Sequence, residues 1–301
     1  MTDYLYLIAD WQVRLRFASD DDVTGMHLLP SFAPFSLPAA EADEGNQLFI
    51  MTIDQQLQPD TAEELQPVKV CDTGNGEIAV ARRKKGGYQF EIHDLRGDLC
   101  ALMLTDADFT NCHCRVTGHS AACNSFGLNN ALMMAFAFAG ATRGTLMIHA
   151  SLVRHNGIGY AFVAKSGTGK STQTANWLKM IPGCDLMNDD NPVVRVKEDE
   201  CQIYGSPWSG KTPCYRQVKA KLGAVTRIVR DSDNHVVRTA PLAGFSDLLS
   251  SCSVMPWDKE TYSGICDSVT TVIEKTPTYH LHCTADPASA LVCYEAIGSI
   301  S

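Results

Sequence analysis

The stretch that decides the fold is AFVAKSGTGKSTQT, residues 161–174. An apolar run leads into a glycine-rich turn, and a helix-like run follows the turn. Residues 164–171 match the phosphate-binding pattern G-x-x-x-x-G-K-[ST] except at the first position, where Ala164 replaces glycine. Gly167 and Gly169 allow the backbone N–H groups to turn inward without a Cβ in the way. The stretch therefore predicts a nucleotide phosphate loop at the N-terminus of a helix.

The residues of this loop are expected to contact a nucleotide and its metal ion. Lys170 can reach the β- and γ-phosphates, and the Ser171 hydroxyl can bind Mg²⁺. An accidental glycine turn is the alternative, but the apolar strand before the turn and the Lys-Ser-Thr sequence after it argue against that. We therefore expect ATP and Mg²⁺ as the bound groups. The expected nucleotide-binding residues are Ser166, Gly167, Thr168, Gly169, Lys170, Ser171 and Thr172.

Two adjacent carboxylates, Asp189 and Asp190, follow a short strand-like run at residues 185–188. A helix over residues 171–181, a turn and this strand would return them to the loop. One carboxylate can bind Mg²⁺, and the other can accept a proton from an attacking hydroxyl group. We expect both to be catalytic and Asp190 to join Ser171 at the metal, while the choice of the base stays open. The alternative is a solvated Asp-Asp-Asn-Pro turn.

Two further polar residues are candidates for the catalytic site. His149 lies in the apolar run LMIHASLV, which is expected to pair beside the strand that enters the loop. The alternative for a lone histidine on an apolar strand is a hydrogen-bonded core residue. Lys211 lies in YGSPWSGKTPCYRQ, residues 204–217, where its amine could stabilise charge on a transferring phosphoryl group. The alternative there is a surface loop that only connects two elements.

The organisation of the chain predicts an α/β fold with a mixed sheet, preceded by a β-rich N-terminal part. Strand-like runs dominate the first part, and an apolar run at residues 125–139 predicts a buried helix. Asn156 and Gly157 lie between two strand-like runs and predict a two-residue hairpin. The strand that enters the loop would then run antiparallel to its predecessor. We expect a β-rich part over 1–120 and a nucleotide-binding catalytic domain over 121–301.

Composition argues against several classes of partner. With a formal net charge of −9 and no basic block, the chain is a poor candidate for binding nucleic acid or an anionic membrane surface. Its longest apolar run, residues 131–141, is too short to span a bilayer. The N-terminus lacks the basic start and the cleavage site of a signal peptide. We therefore expect a cytoplasmic protein without a nucleic-acid or membrane partner.

The cysteines and the remaining histidines do not form an obvious metal site. Twelve cysteines in a chain of this length, without a signal peptide, are expected to stay reduced. The segment CHCRVTGHSAAC, residues 112–123, lacks the usual spacing of a zinc knuckle, although zinc stays an alternative. His280 and His282 alternate on a predicted strand. We interpret both as structural because the sequence offers no third ligand nearby.

The order of these motifs resembles the catalytic domain of the HPr kinase/phosphorylase family, which shares the phosphoenolpyruvate carboxykinase fold. The shared features are a histidine in a strand, an Asn-Gly hairpin, the sequence SGTGKST and an Asp-Asp pair one helix later, all within residues 145–195. The resemblance implies a P-loop kinase that uses ATP and Mg²⁺ to phosphorylate a serine hydroxyl. It also implies that His149 lies near the phosphates and that one aspartate of the pair is the base.

The resemblance leaves the phosphoacceptor open among a protein, a peptide and a small molecule. The loop begins with Ala164 and Lys165, where HPr kinases have glycine and usually an acid, and their longer signature after the Asp pair is missing. A nucleotide-binding regulator without transferase activity and a partner-stimulated NTPase are the alternatives. Because HPr kinases assemble from copies of one chain, the resemblance also makes a homo-oligomer an expectation.

Overall fold

The computed structural model describes residues 2–19 and 27–298, which form two compact units, Met1–Gly140 and Ala141–Ser301. Both units contain a mixed sheet, so the fold is of the mixed α/β class. The strands are β1 Thr2–Ile8, β2 Trp11–Phe17, β3 Ser36–Leu37, β4 Gln47–Ile53, β5 Leu65–Asp72, β6 Gly76–Arg83, β7 Tyr88–Asp94, β8 Leu99–Thr105, β9 Asn111–Val116, β10 Thr145–Met147, β11 Ala150–His155, β12 Ile158–Val163, β13 Asp185–Asp190, β14 Val193–Val196, β15 Cys201–Tyr204, β16 Lys219–Arg230, β17 His235–Arg238 and β18 Thr278–Cys283. The α-helices are α1 Ala121–Ala141, α2 Lys170–Met180, α3 Pro241–Leu249, α4 Lys259–Lys275 and α5 Ala288–Ile297.

The first unit is built on a sheet with the strand order β3-β1-β2-β4-β9-β8-β7-β6-β5. Ala9 and Asp10 have φ values of 49° and 60° and make the tight turn between β1 and β2. Strands β2, β4 and β9 run parallel to one another, while the pairs from β9 to β5 are antiparallel. The β-rich character predicted for the first part of the chain is confirmed.

Helix α1 begins earlier than the sequence indicated and belongs to the first unit. The Ser120 hydroxyl accepts a hydrogen bond from the Cys123 N–H at 3.2 Å, so Ser120 caps the helix. The Phe138 ring packs against that of Phe109 with 5.4 Å between centroids, which joins the helix to the first unit. The contacts therefore divide the chain after Gly140, whereas the sequence placed the boundary at residue 120.

One pair of cysteines departs from the expectation that all twelve stay reduced. Cys100, near the start of β8, and Cys123, in the first turn of α1, form a disulfide. Cys112 and Cys114 are buried on the same face of β9, as their alternation predicted, and both thiols are free. The segment of residues 112–123 therefore contains a disulfide partner and core thiols.

The second unit is a mixed sheet covered by helices on both faces. The sheet order is β10-β14-β15-β16-β12-β11-β13, and β18 pairs with β16 and β17. Asn156 and Gly157 have φ values of 50° and 79°, and β11 and β12 pair antiparallel on either side of them, which confirms the predicted hairpin. Strand β12 also pairs parallel with β16, which in turn pairs parallel with β18.

Alternate residues of β12 face the two helical layers. Tyr160 and Phe162 pack against Trp177 of α2 and the apolar side of α5. Ala161 and Val163 point the other way, towards α3 and α4. Both faces of β12 are apolar, so the strand is buried on both sides. The glycine-rich loop follows the carboxyl end of β12, at the edge of the sheet. No helix within residues 2–19 and 27–298 is long and apolar enough to cross a membrane.

Candidate active site

Three chain segments meet at one edge of the second sheet. Strands β12 and β13 both pair antiparallel with β11, so they run in the same direction and end at the same edge. Ala150, the first residue of β11, pairs with Val163 at the end of β12 and with Asp190 at the end of β13. His149 precedes Ala150 directly and lies between β10 and β11 rather than within a strand. The register therefore brings His149, the glycine-rich loop and the aspartate pair together.

The glycine-rich loop connects β12 to α2 and leads directly into the helix. Gly167 and Gly169 have φ values of 75° and 130°, and a Cβ added to either would meet no atom within 4 Å. The positive φ at these two positions, and not a steric clash with neighbouring atoms, disfavours residues other than glycine. Gly169 caps helix α2, so the free N–H groups of its first turn face the loop. All seven residues expected to bind the nucleotide lie in this loop and first turn.

The amine of Lys170 is held at the base of the loop and not in solvent. Lys170 is only 7% exposed. Its Nζ donates to the Ala164 carbonyl oxygen at 3.1 Å and lies 2.7 Å from His149 Nε2. Desolvation lowers the pKa of Lys170, although the charges of Asp190 and Asp189 act in the opposite direction. The cation is thus fixed beside the position where the loop would place phosphate oxygens.

Asp190 contacts the other side of the same histidine. His149 Nδ1 lies 3.0 Å from Asp190 Oδ1, and Asn191 Nδ2 donates to Asp190 Oδ2 at 2.9 Å. Burial alone would raise the pKa of Asp190, but its interactions with His149, Lys170 and Asn191 outweigh burial and lower the pKa below its ordinary value. The φ of Asp190 is 138°, a strained value for a residue other than glycine.

Asp189 is buried, whereas the side chain of Asp190 is 34% exposed. Ser151 lies opposite Asp189 in the β11–β13 register, and its hydroxyl donates to Asp189 Oδ1 at 2.5 Å. The Ser171 hydroxyl donates to the same oxygen at 3.0 Å. The loop serine is therefore bonded to Asp189, whereas the sequence placed Asp190 with Ser171 at the metal. Ser151 was missed, because only the strand register reveals it.

The loop over residues 204–217 packs against the aspartate pair through its backbone. The Gly210 N–H donates to the Asp189 carbonyl oxygen, and a Cβ on Gly210 would lie 3.1 Å from both that oxygen and Asp190 Cβ. Trp208 is buried beneath this loop. Lys211 is exposed and forms no hydrogen bond or ion pair with another residue in the described ranges. The backbone of Lys211 lies next to the aspartate pair, but its amine contacts neither carboxylate.

Arg230, at the end of β16, supports the loop from outside and was not predicted. Its Nε donates to the Thr168 carbonyl oxygen at 3.1 Å, and its guanidinium also bonds the Gly167 carbonyl oxygen. These bonds attach the carbonyls of Gly167 and Thr168 to the end of β16. A strand-terminal arginine sixty residues downstream carries no local signal of this role. Beside it, a pocket in the second unit is lined by Gly167, Thr168, Gly169, Thr172, Gln173, Ile228, Arg230, Asp231, Cys283, Thr284 and Ala285.

The two histidines of β18 make different contacts from those expected. His280 Nε2 lies 2.6 Å from Asp247 Oδ2, and Arg227 bonds the other oxygen of that carboxylate, as in a structural ion-pair network. His282, however, does have further potential ligands nearby: Asp231 and His235 lie beside it. The statement that no third ligand is near is therefore wrong, because the antiparallel pairing of β17 with β18 brings His235 opposite His282.

Comparison with known proteins gives distant structural likenesses alone. Neither the protein-family models nor the curated proteins contain a match to this chain. Among solved structures, the Hpr(Ser) kinase/phosphatase from Coxiella burnetii matches with a TM-score of 0.31 and 10% sequence identity, over 50% of this chain and 97% of that chain. This similarity is too weak to support an argument about this chain.

Proposed function

We propose that the second unit is an ATP- and Mg²⁺-dependent phosphotransferase with the P-loop kinase fold of the HPr kinase family. The acceptor would be a serine hydroxyl on a protein, a peptide or a small molecule. The observation that carries the proposal is the convergence of Lys170, Ser171 and the aspartate pair at the N-terminus of α2. A cation, a metal-binding hydroxyl and carboxylates at one helix N-terminus are the parts that phosphoryl transfer requires.

The loop fits the phosphates of a nucleotide. Gly167 and Gly169 leave open space where side chains would otherwise stand, and the free N–H groups in the first turn of α2 can donate to phosphate oxygens. The Lys170 amine would neutralise charge on the transferring phosphoryl group. In the adjoining pocket, the buried Nε2 of Gln173 has no hydrogen-bond partner among the described residues. This unused donor fits a polar group of the nucleoside.

The donor set beside the loop fits Mg²⁺, a cation that prefers oxygen ligands. Ser171 and Asp189 already share a hydrogen bond, so their oxygens are close enough to hold one ion between them. The sequence assigned this role to Asp190, but the geometry favours Asp189, because Asp190 points to His149 instead. When bound, Mg²⁺ would supply positive charge to the β- and γ-phosphates.

Asp190 is the better candidate for the base. An acceptor hydroxyl must reach the base directly, and only Asp190 of the pair is exposed enough to allow this. Asp190 would accept the hydroxyl proton as the acceptor oxygen bonds to the γ-phosphorus and the bond to the ADP oxygen breaks. His149 would hold the carboxylate in place through its Nδ1. Lys211 could enter from the adjacent loop to contact the phosphoryl group.

The test is transfer of label from γ-labelled ATP with Mg²⁺ to a lysate of the source cell that has been separated into proteins and small molecules. We expect label in one species with the wild-type protein and none with Lys170→Ala. Lys179→Ala is the matched control, because Lys179 lies exposed at the far end of the same helix. Serine as the labelled residue would identify the acceptor group.

Two other results would replace the proposal. ATP binding without any labelled product would indicate a nucleotide-binding regulator. Release of free phosphate that a partner stimulates, again without a labelled product, would indicate an NTPase. Transfer that survives Lys170→Ala would show that the loop is not the catalytic site.

A further inference from the structure

A second cluster of polar side chains lies where β16, β17 and β18 meet. Asp231 follows the last residue of β16, His235 begins β17, and His282 lies in β18. His235 and His282 are direct cross-strand partners, and their rings stack with 4.5 Å between centroids and 11° between planes. One ligand atom from each of the three residues lies within 4.8 Å of the other two. Three separate chain segments thus converge on one point.

The chemistry of these groups matches a divalent transition metal. Two imidazoles and one carboxylate are a common ligand set for zinc and its neighbours, whereas Mg²⁺ and Ca²⁺ prefer oxygen alone. His282 Nδ1 lies 3.0 Å from Asp231 Oδ2. A metal ion would replace this bond with two bonds to the same cation.

A hydrogen-bonded surface cluster without a metal is the alternative, and His235 argues against it. Its imidazole nitrogens have no hydrogen-bond partner elsewhere in the described residues, yet its ring is held face to face with that of His282. The stacking and the cross-strand pairing place the unpaired nitrogens of His235 beside the Asp231–His282 pair.

The cluster also borders the phosphate loop. Asp231 lines the same pocket as Gly167 and Thr168. The residue before it, Arg230, is the one that bonds the carbonyls of those two loop residues. Anything that fixes Asp231 therefore fixes the attachment point of Arg230. A metal ion here would stiffen the turn after β16 at the rim of the pocket.

We propose that Asp231, His235 and His282 bind one divalent transition-metal ion of the zinc type, with the remaining position open to solvent. The three ligand atoms now lie within 4.8 Å of one another. Zinc–nitrogen bonds of about 2.0–2.1 Å would bring them closer together than that distance. Rotation of the exposed His235 side chain can close that gap. The site is separate from the proposed Mg²⁺ site and does not depend on nucleotide binding.

The experiment titrates the full-length wild-type protein with Co²⁺, which reports nitrogen and oxygen ligation by visible absorption, in an excess of Mg²⁺ that occupies oxygen-only sites. We expect one equivalent of Co²⁺ to bind and one equivalent of Zn²⁺ to displace it. His235→Gln should weaken Co²⁺ binding by more than about tenfold. His113→Gln is the matched control, because His113 is an exposed strand histidine of the first unit.

Asp231→Asn gives a second variant at an exposed position, so the test does not rest on the folding of one mutant. It should weaken Co²⁺ binding while its circular dichroism spectrum stays that of the wild type. The proposal is overturned if the wild type shows no stoichiometric absorption band. It is equally overturned if the band keeps its affinity in both His235→Gln and Asp231→Asn.

Discussion

His149 Nε2 lies 2.7 Å from Lys170 Nζ. A lysine ammonium group can only donate, so this nitrogen must accept, and the imidazole proton then resides on Nδ1. Nδ1 lies 3.0 Å from Asp190 Oδ1, where that proton is donated. A neutral His149 therefore joins the cation of the loop to the carboxylate of the next strand. The imidazole ring separates the Lys170 ammonium group from the Asp190 carboxylate and fixes their relative positions.

Replacement of His149 should strongly reduce the rate of phosphoryl transfer, although the side chain of His149 is partly exposed. His149→Ala removes both bonds, and we expect the rate of transfer from γ-labelled ATP to fall by about 10- to 100-fold, since each hydrogen bond to a charged group contributes about 1.5–3 kcal/mol. His149→Gln can accept from Lys170 and donate to Asp190, so it should fall between Ala and the wild type. His113→Gln is the control, and an Ala variant as active as this control would contradict the role.

The two aspartates should separate in a comparison of Asp189→Asn with Asp190→Asn. Asp189 bonds Ser171, so its loss should raise the Mg²⁺ concentration needed for ATP binding, measured by calorimetry at several Mg²⁺ concentrations. Asp190→Asn should leave that dependence unchanged and lower the transfer rate by about 10²- to 10⁴-fold, the usual contribution of a general base. The opposite pattern would make Asp190 the metal ligand, as the sequence first indicated.

Loss of Arg230 should make the phosphate loop more mobile, although Arg230 would not itself contact a phosphate. Its guanidinium bonds two loop carbonyls from an exposed position, so we expect Arg230→Ala to weaken ATP binding by about 3- to 10-fold. Amide hydrogen exchange at Gly169 and its neighbours should accelerate in the same variant. Arg238→Ala, an exposed arginine of β17, is the matched control. Unchanged exchange in Arg230→Ala would show that the loop needs no outside support.

Much of the candidate site could be predicted because its parts are close together in the sequence. The hairpin at Asn156 and Gly157, the loop and the aspartate pair all lie within residues 145–195, and each depends on local backbone chemistry. Turn residues fix the antiparallel pairing of β11 with β12, and the length of α2 then returns the chain to the same edge. The nearness of the aspartate pair to the loop follows from these local facts, but the sequence placed Asp190 beside Ser171, where the structure has Asp189.

The parts that were not predicted depend on strand register and on distant pairing. Arg230 reaches the loop only because β16 pairs parallel with β12, and His235 meets His282 only because β17 pairs with β18. Neither pairing has a short-range signal. Helix α4 is different: Ile265 and Val269 are buried four residues apart, and Asp258 caps the helix by accepting from the Thr261 N–H at 2.9 Å. That pattern was available in the sequence and was not used.

The strained backbone of Asp190 predicts that glycine at this position is more stable than alanine, the reverse of the usual order in a strand. Glycine usually destabilises a strand relative to alanine, by about 0.5–1 kcal/mol. At a φ of 138° only glycine is unstrained, so Asp190→Gly should be more stable than Asp190→Ala by about 1 kcal/mol, the lower end of the usual cost of such strain. Both variants lack the carboxylate, so urea unfolding of the pair isolates the backbone effect. A more stable alanine variant would mean that this residue carries no strain.

The lowered pKa of Asp190 predicts how its contribution to stability depends on pH. Because the folded pKa lies below the ordinary value of 3.8, the folded state binds fewer protons at this group than the unfolded state does. The contribution is therefore complete above the ordinary pKa and is lost as the pH falls through the folded pKa. We expect the difference in unfolding free energy between wild type and Asp190→Asn to stay constant from neutral pH down to about pH 5 and then to shift against the wild type. Asparagine also tolerates positive φ better than aspartate, but that offset does not change with pH. A difference that stays constant through the acid range would show that His149 and Lys170 do not stabilise the Asp190 carboxylate.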